Sequence, residues 1–246
     1  MNMIKEKMMN SDYEDDSHIK CIIWDFDGTV TCVHTPHIDI SSLKTNPLNS
    51  IIADPLIFRN VILLLYRLGY NVGIASFGYR QKIIALLNRI FMKTDAIKSD
   101  ELLSTNNTNT EIDPIQEFID KVYKDLIHSI RTPNSLDLQE WKEGYEAPLG
   151  YSKVNLLDDL RDYWSSTLDN EIFINSNCIL LDDSIKNCLM AEMQGYKAKP
   201  IKHFSRHYGF EVLNIEDPKE LFAKISNDHF QSLWDKFLLS SFDSPK

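Results

Sequence analysis

Two aspartates with a single residue between them, Asp25 and Asp27, are the residues whose type and spacing first suggest chemistry. They follow an apolar run, and Gly28 behind them permits a tight turn. If Cys21–Asp25 is a buried strand, the turn after it lets both carboxylates point into one space while Phe26 turns aside. Carboxylates held close together repel each other, so a site that keeps both usually binds a cation or shares a proton. The pattern therefore predicts a chemical site that contains a metal.

Polar residues also follow other predicted buried strands. Ser76 comes at the end of the second strand, and Asp182 and Asp183 come at the end of a later one. Ligands of parallel sheets bind beyond the carboxyl ends of the strands, so we expect these residues to lie near Asp25. A helix N-cap would explain one of the two adjacent acids well, but it explains both of them poorly.

Strands and helices alternate along the chain, which predicts the scaffold that holds these residues. Helices are predicted at Phe58–Leu68 and Arg80–Phe91, where apolar residues recur at helical spacing. Such alternation is typical of an α/β fold with a parallel sheet covered by helices. The predicted strands are Cys21–Asp25, Asn71–Ser76, Asp95–Lys98, Asn177–Asp182 and Tyr196–Ile201.

The middle of the chain departs from this alternation. Residues 103–150 are predicted to form a small, mostly helical insertion, in which Asp113 caps a helix that Pro114 opens. The insertion either packs on the core or acts as a lid over the site, and the two interpretations carry equal weight. We expect residues 1–18 to be a disordered acidic segment and residues 19–246 to form a single domain.

The C-terminal part of this domain is predicted to be helical. Asn227 is expected to cap a helix with one apolar face. Packing of that face against the core is favoured over binding to a partner. The residues of the apolar face are Phe230, Leu233, Trp234, Phe237 and Leu238.

The composition indicates an ordinary globular protein and limits the classes of partner that it can bind. The chain of 246 residues has a formal net charge of −10, which argues against binding to a nucleic-acid backbone. Its longest strongly apolar run, Val61–Tyr66, is too short to span a bilayer, and residues 1–18 lack the apolar core of a signal peptide. Four cysteines without metal-binding spacing favour a reducing compartment. We therefore expect a cytoplasmic protein without membrane contact, and the sequence gives no indication of its oligomeric state.

A lysine and an asparagine near the later acidic pair are also candidates. Ser152 is expected to cap a helix that Lys153 opens and that runs to about Trp164. From the local sequence alone, a surface lysine is the favoured interpretation of Lys153. Asn187 lies one helical turn beyond the acidic pair.

Taken in order, these residues resemble the motifs of a known family. The segment Asp25-Phe26-Asp27-Gly28-Thr29-Val30-Thr31 resembles the first motif of the haloacid dehalogenase superfamily of phosphohydrolases. The similarity covers about residues 19–100 and 150–202, and the pattern is closest to the capless magnesium-dependent phosphatase branch. It implies a doubly wound, Rossmann-like parallel sheet. The residues that resemble the second, third and fourth motifs are Ser76, Lys153, and Asp182-Asp183 with Asn187.

The resemblance implies roles for the acidic residues. Asp25 would be the nucleophile that attacks phosphorus and forms an aspartyl-phosphate, and Asp27 would be the general acid and base. The cofactor implied is Mg²⁺, bound by the Asp25 carboxylate, the main-chain carbonyl of Asp27 and Asp183. Asp182 would orient a metal-bound water. Asn187 stands where many relatives carry another acid, so this metal site has less negative charge.

The resemblance also implies a set of groups that bind the phosphoryl oxygens. These would be Ser76, Lys153 and the main-chain N–H groups of Phe77 and Gly78. A functional role for Lys153 is then favoured over a surface position. Arg80 is a further candidate for anion binding, although an exposed helix residue is an equally good interpretation.

The length of the first connection bears on the substrate. Too few residues separate Thr31 from the Phe58 helix to form the large helical cap of many relatives. His34 and His37 in this stretch are interpreted as ordinary loop histidines, since no acid–base role is left for them. An open site suits a phosphoprotein or a polymer end, whereas a lid formed by residues 103–150 would favour a small phosphate ester.

The expected function is therefore that of a Mg²⁺-dependent phosphatase, which hydrolyses a phosphate monoester through an aspartyl-phosphate. The partner implied is a phosphorylated small molecule or a phosphoprotein. Two alternatives stay open. One is a catalytically silent interaction protein with the same fold, and the other is a phosphomutase, whose product keeps the phosphoryl group.

Overall fold

Five strands form an all-parallel sheet at the centre of the protein. The computed structural model describes residues 19–92, 113–133, 151–168 and 172–240. The strands are β1 (Cys21–Trp24), β2 (Asn71–Ala75), β3 (Ile130–Arg131), β4 (Cys178–Asp182) and β5 (Lys197–Pro200). They lie in the order β3-β2-β1-β4-β5. Four of the five predicted strands are confirmed with shifts of one residue at their ends, and the strand predicted at Asp95–Lys98 lies outside the described residues.

Helices connect these strands and follow the last of them. They are α1 (Ile40–Thr45), α2 (Pro55–Arg67), α3 (Arg80–Phe91), α4 (Pro114–His128), α5 (Lys153–Thr167), α6 (Ile185–Met193), α7 (Pro218–Lys224) and α8 (Asn227–Leu239). The prediction for α3 is confirmed at both ends. Helix α2 begins three residues earlier than predicted, because Asp54 caps it and Pro55 occupies its first position. The Asp54 carboxylate accepts from the N–H of Ile57 at 3.3 Å.

Apolar side chains cover both faces of the sheet. Along β1, Ile22 and Trp24 pack in one buried layer with residues of α2, α3, α4, α7 and α8. Cys21 and Ile23 point the other way and pack with residues of α5 and α6. A strand buried on both sides reads as a continuous apolar run, which explains the composition of β1. The prediction of an α/β fold with a parallel sheet between helices is confirmed.

Part of the segment predicted as an insertion belongs to the sheet. Within residues 113–133, α4 leads into β3, which pairs in parallel with β2 through Ile74 and Ala75. Asp113 caps α4 as expected, and its carboxylate accepts from the N–H of Ile115 at 3.1 Å. The rest of residues 103–150 lies outside the described residues, so the lid stays a prediction.

The connection between β1 and α2 is short and packs on α3. It contains α1 and two 3₁₀ turns. From α3, Lys82 Nζ donates to the main-chain oxygens of Thr35 and Pro36 at 3.1 and 2.8 Å. Arg89 donates to the main-chain oxygen of Asn46 at 2.8 Å. This connection forms no large helical cap, as expected from its length.

The apolar face of α8 is buried against the core. Ser226 caps the helix instead of Asn227, because its hydroxyl accepts from a main-chain N–H in the first turn. No helix in the described part of the chain is both long and apolar enough to cross a membrane. The fully buried residues of α8 are Phe230, Trp234 and Phe237.

Lys199 on β5 ties α8 to the sheet. Its Nζ donates to the main-chain oxygens of Leu238 and Ser240 at 3.4 and 2.7 Å, and it lies 4.4 Å from the ring of Phe237. Carbonyls at a helix C-terminus attract positive charge. Burial nevertheless lowers the pKa of Lys199 to about 8.

Candidate active site

The carboxyl ends of β1 and β4 lie side by side at the point where the strand order reverses. Trp24 pairs with Leu181, and the N–H of Asp25 donates to the Leu181 carbonyl at 2.8 Å. Asp25 is therefore level with Asp182, the last residue of β4, and close to Asp183. One carboxylate oxygen from each of these three aspartates lies within 4.8 Å of the other two. The structure thus brings Asp25 and the later acidic pair together at the edge where parallel sheets bind ligands.

The turn after β1 requires glycine at position 28. Gly28 has a φ of +85°, and a Cβ atom there would lie 2.5 Å from Oδ2 of Asp183. The N–H groups of Val30 and Thr31 both donate to the Phe26 carbonyl at 3.0 Å, which closes the turn. Because no side chain projects from Gly28, the Asp183 carboxylate can pack directly against the first motif.

A loop after β5 braces the same turn. The N–H of His203 donates to the Gly28 carbonyl at 3.0 Å, and the N–H of Phe204 donates to the Thr29 carbonyl at 2.7 Å. His203 has a φ of 56°, which is uncommon for a residue other than glycine. No side-chain pattern predicts these contacts, because main-chain atoms make them.

Lys153 lies between the carboxylates. Its Nζ is 2.7 Å from Oδ1 of Asp25 and 3.2 Å from Oδ2 of Asp182, and it donates to the Ala75 carbonyl at 2.9 Å. The residue is 2% exposed. It occupies the first position of α5, directly after the N-cap Ser152. The interpretation of Lys153 as a surface lysine is therefore wrong.

Burial and charge act in opposite directions on this group of side chains. Burial raises the pKa of Asp25 to about 8, while Lys153 opposes the shift and Asp182 adds to it. Burial alone would lower the pKa of Lys153, but Asp25 and Asp182 raise it, so its ammonium stays charged. Burial and then Asp182 raise the pKa of Asp183. Further positive charge beside Asp25 would therefore be favourable.

Asp182 is fully buried, and both of its oxygens already accept hydrogen bonds. Oδ1 accepts from the N–H of Ser184 at 2.8 Å and from Nδ2 of Asn187 at 3.1 Å. Oδ2 accepts from the same Asn187 nitrogen at 3.1 Å and faces Lys153. A carboxylate has about four lone-pair positions, so these contacts occupy Asp182 fully. Asp182 is therefore suited to hold Lys153 and Asn187 in position. Asp25 and Asp183 remain as the residues whose carboxylate oxygens are available to a metal ion.

Asp27 faces the loop after β2. The N–H of Thr35 donates to Oδ1 of Asp27 at 2.9 Å. A Cβ atom on Gly78 would lie 2.6 Å from Oδ2 of Asp27 and 3.4 Å from Oγ of Ser76, so glycine is needed for this close approach. The Ser76 hydroxyl accepts from the N–H of Gly78 at 3.1 Å. The candidate acid and the candidate phosphoryl-binding loop are therefore neighbours.

The remaining candidates divide into those that reach the site and those that do not. The ring of Phe77 lies 4.8 Å from Nζ of Lys153, a cation–π contact. Arg80 binds α4 instead, because its Nη2 donates to the Ile127 carbonyl at 2.8 Å. His34, interpreted as an ordinary loop histidine, lies close enough to Asp183 to oppose the rise in the pKa of that residue that burial causes.

No family model matches the chain, and no curated protein or solved structure matches it. What the site can do chemically therefore follows from its own side chains. Among the described residues, the three clustered aspartates and Lys153 would carry an excess of two negative charges if all four were ionised, which a bound cation would favour. Carboxylate oxygens at this spacing suit a hard divalent cation such as Mg²⁺. The donor set fits such an ion, since buried carboxylates are stable only when their charge is compensated.

Proposed function

We propose that this protein is a phosphatase of the haloacid dehalogenase type, which hydrolyses phosphate monoesters through an aspartyl-phosphate on Asp25. The proposal is carried by one observation, the 2.7 Å contact between Asp25 and the buried Lys153 inside a cluster of three carboxylates. A carboxylate can attack a phosphate group, which is itself negative, only where positive charge offsets the repulsion. Lys153 supplies part of that charge, and the excess of carboxylates supports a bound cation.

The cation in this proposal is Mg²⁺. Asp25, the main-chain carbonyl of Asp27 and Asp183 would bind it, while Asp182 and Asn187 hold their neighbours in position. When bound, the ion neutralises charge on the phosphoryl oxygens. The three hydrogen bonds and the one ion contact made by Asp182 support this division of roles.

In the first step, a carboxylate oxygen of Asp25 attacks phosphorus, and the bond from phosphorus to the leaving oxygen breaks. Asp27 gives its proton to that oxygen, so the alcohol leaves as a neutral molecule. The positive charge of Lys153 offsets the negative charge that gathers where the Asp25 carboxylate meets the phosphate group. The Ser76 hydroxyl, which already accepts from Gly78, keeps its own proton to donate to a phosphoryl oxygen.

In the second step, a water oxygen attacks phosphorus and the bond between phosphorus and Asp25 breaks. Asp27 now takes a proton from the water, which returns it to its starting state. Inorganic phosphate leaves with the water oxygen. The two steps use the same acid and base because the leaving oxygen and the water approach phosphorus from the same side, opposite Asp25.

The proposed substrate is a phosphorylated small molecule or a phosphoprotein, and the proposed location is the cytoplasm. The short connection between β1 and α2 supports an accessible site, because the described residues of that connection form no large cap. The four cysteines all lie within the described residues and none of them forms a disulfide, which supports a reducing compartment.

The test is Mg²⁺-dependent hydrolysis of p-nitrophenyl phosphate by the purified protein. We expect Asp25→Asn to abolish the activity and Asp39→Asn to leave it unchanged, since Asp39 is exposed and its side chain caps nothing. A magnesium-free reaction should be slow, and beryllofluoride with Mg²⁺ should raise the melting temperature of wild type but not of Asp25→Asn. The proposal is wrong if no hydrolysis appears that Asp25→Asn removes.

The same experiment separates the two alternatives. A catalytically silent interaction protein would show no hydrolysis and no beryllofluoride stabilisation. A phosphomutase would bind beryllofluoride but transfer ³²P from a sugar phosphate to a second hydroxyl group, whereas a phosphatase releases it as inorganic phosphate. Chromatography of the labelled products distinguishes these outcomes.

A further inference from the structure

Thr35 binds the candidate acid–base residue through its main chain, and its hydroxyl lies near Gly78, which the carboxylate of that residue also approaches. Its N–H donates to Oδ1 of Asp27 at 2.9 Å. An oxygen that accepts this bond from a main-chain N–H does not also carry the acidic proton in the same direction, so the proton of a neutral Asp27 is directed to Oδ2. Oδ2 is the oxygen that faces the loop of Ser76 and Gly78.

The hydroxyl of Thr35 is buried and faces the same space. The residue is 0% exposed, and within the described part of the chain no hydrogen bond reaches its Oγ1. Oγ1 lies 3.4 Å from the point where a Gly78 Cβ would stand, and Oδ2 of Asp27 lies 2.6 Å from that point. A buried hydroxyl without a partner destabilises the folded protein, so its presence beside Asp27 indicates a group that arrives with a ligand.

We propose that Thr35 binds the leaving oxygen of the substrate, an inference that rests on the proposed phosphatase function. Its hydroxyl donates a hydrogen bond to the leaving oxygen while Asp27 transfers the proton from Oδ2 to that oxygen. The bond between phosphorus and the leaving oxygen breaks as the bond from Asp25 to phosphorus forms. Thr35 thus stabilises negative charge on the leaving oxygen and holds it within reach of the acid.

A series of aryl phosphates tests this role. An acidic leaving group departs with little assistance from Thr35 and Asp27, whereas a basic one depends strongly on hydrogen bonding and protonation of its oxygen. The ratio kcat/KM reports the step in which the leaving oxygen departs. For Thr35→Val we expect kcat/KM to fall about 10- to 100-fold on phenyl phosphate, the range of one hydrogen bond to a charged group. On 2,4-dinitrophenyl phosphate the loss should be about threefold or less by the same reasoning. Thr35→Ser, which keeps the hydroxyl, should restore most of the activity on phenyl phosphate.

Two controls separate this role from a structural one. Thr45→Val removes an exposed hydroxyl from the same connection and should change neither substrate. Thr35→Val should be at least as stable as wild type in urea, since it removes an unpaired buried hydroxyl, and it should still bind beryllofluoride, which contains no leaving oxygen. Equal losses on both aryl phosphates, no loss at all, or a loss of stability that accounts for the activity would each overturn the inference. Failure of wild type to hydrolyse either compound would refute the proposed phosphatase function itself.

Discussion

Removal of the Lys153 ammonium is the most direct perturbation of the charge balance at the site. Lys153→Met keeps a long apolar stem but leaves Asp25 and Asp182 buried without the cation that lies 2.7 and 3.2 Å from them. Removing one partner of a buried ion pair typically destabilises a protein by about 3–5 kcal/mol. The upper part of that range is expected here, because one ammonium serves two carboxylates and is 2% exposed.

Urea unfolding of the metal-free protein measures this change. With a slope near the upper end of about 1–3 kcal/mol/M, the midpoint should fall by about 1–2 M. Lys82→Met is the matched control, since Lys82 also donates to two carbonyl oxygens but has no buried carboxylate partner among the described residues. Its midpoint should move by less than about 0.5 M, as expected for loss of ordinary hydrogen bonds.

A second substitution shows whether the loss comes from unpaired charge. Asp25→Asn in the Lys153→Met background should recover part of the lost stability, because it removes one of the two uncompensated carboxylates. Mg²⁺ should also stabilise Lys153→Met more than it stabilises wild type. A Lys153→Met midpoint within about 0.3 M of wild type would refute the reasoning, because the buried carboxylates would then not depend on this lysine.

Three further changes test other parts of the structure. Gly78→Ala places a methyl group 2.6 Å from Oδ2 of Asp27, so we expect kcat to fall on the order of 10²-fold with little change in melting temperature; an unchanged kcat would contradict the close approach. Asn187→Asp sets a new carboxylate against both oxygens of Asp182, so the metal-free protein should melt lower and gain more from Mg²⁺ than wild type does. Equal Mg²⁺-induced shifts in a thermal melt would count against that account. Because burial lowers the Lys199 pKa from 10.5 to about 8, the unfolded chain binds more protons between these pH values. The unfolding free energy of wild type relative to Lys199→Met should therefore rise from pH 8 to pH 10.5 in urea titrations, and a constant difference would show that Lys199 does not titrate in this range.

The strands that carry the site are predictable because each is an apolar run that ends at a polar residue. Burial on both faces makes such runs continuous, and a parallel sheet then fixes which ends meet. The strand β3 is not predictable in this way. It has two residues, and its place in the sheet depends on pairing with Ile74 and Ala75 rather than on a pattern of its own.

The convergence of Asp25 with Asp182 and Asp183 follows from the strand ends, but the partners of the other candidates do not. The local sequence around Lys153 indicates a surface residue, and only the position of α5 across the sheet buries it. Arg80 binds a carbonyl of α4, a contact between residues far apart in sequence. Short-range pattern carries no information about such long-range contacts, so they become visible only with the fold.

The bracing of the Gly28 turn by His203 and Phe204 has a consequence for protein synthesis. The turn follows β1 directly, whereas the residues that brace it are added about 175 positions later. At about 5–20 residues per second, a ribosome needs roughly 10–35 s to cover that interval. For much of this interval the nascent chain also lacks Lys153 and Asp182. In the proposed mechanism, a partly synthesised chain therefore contains Asp25 without the residues that would make it reactive, and we expect activity only after His203 and Phe204 have been added.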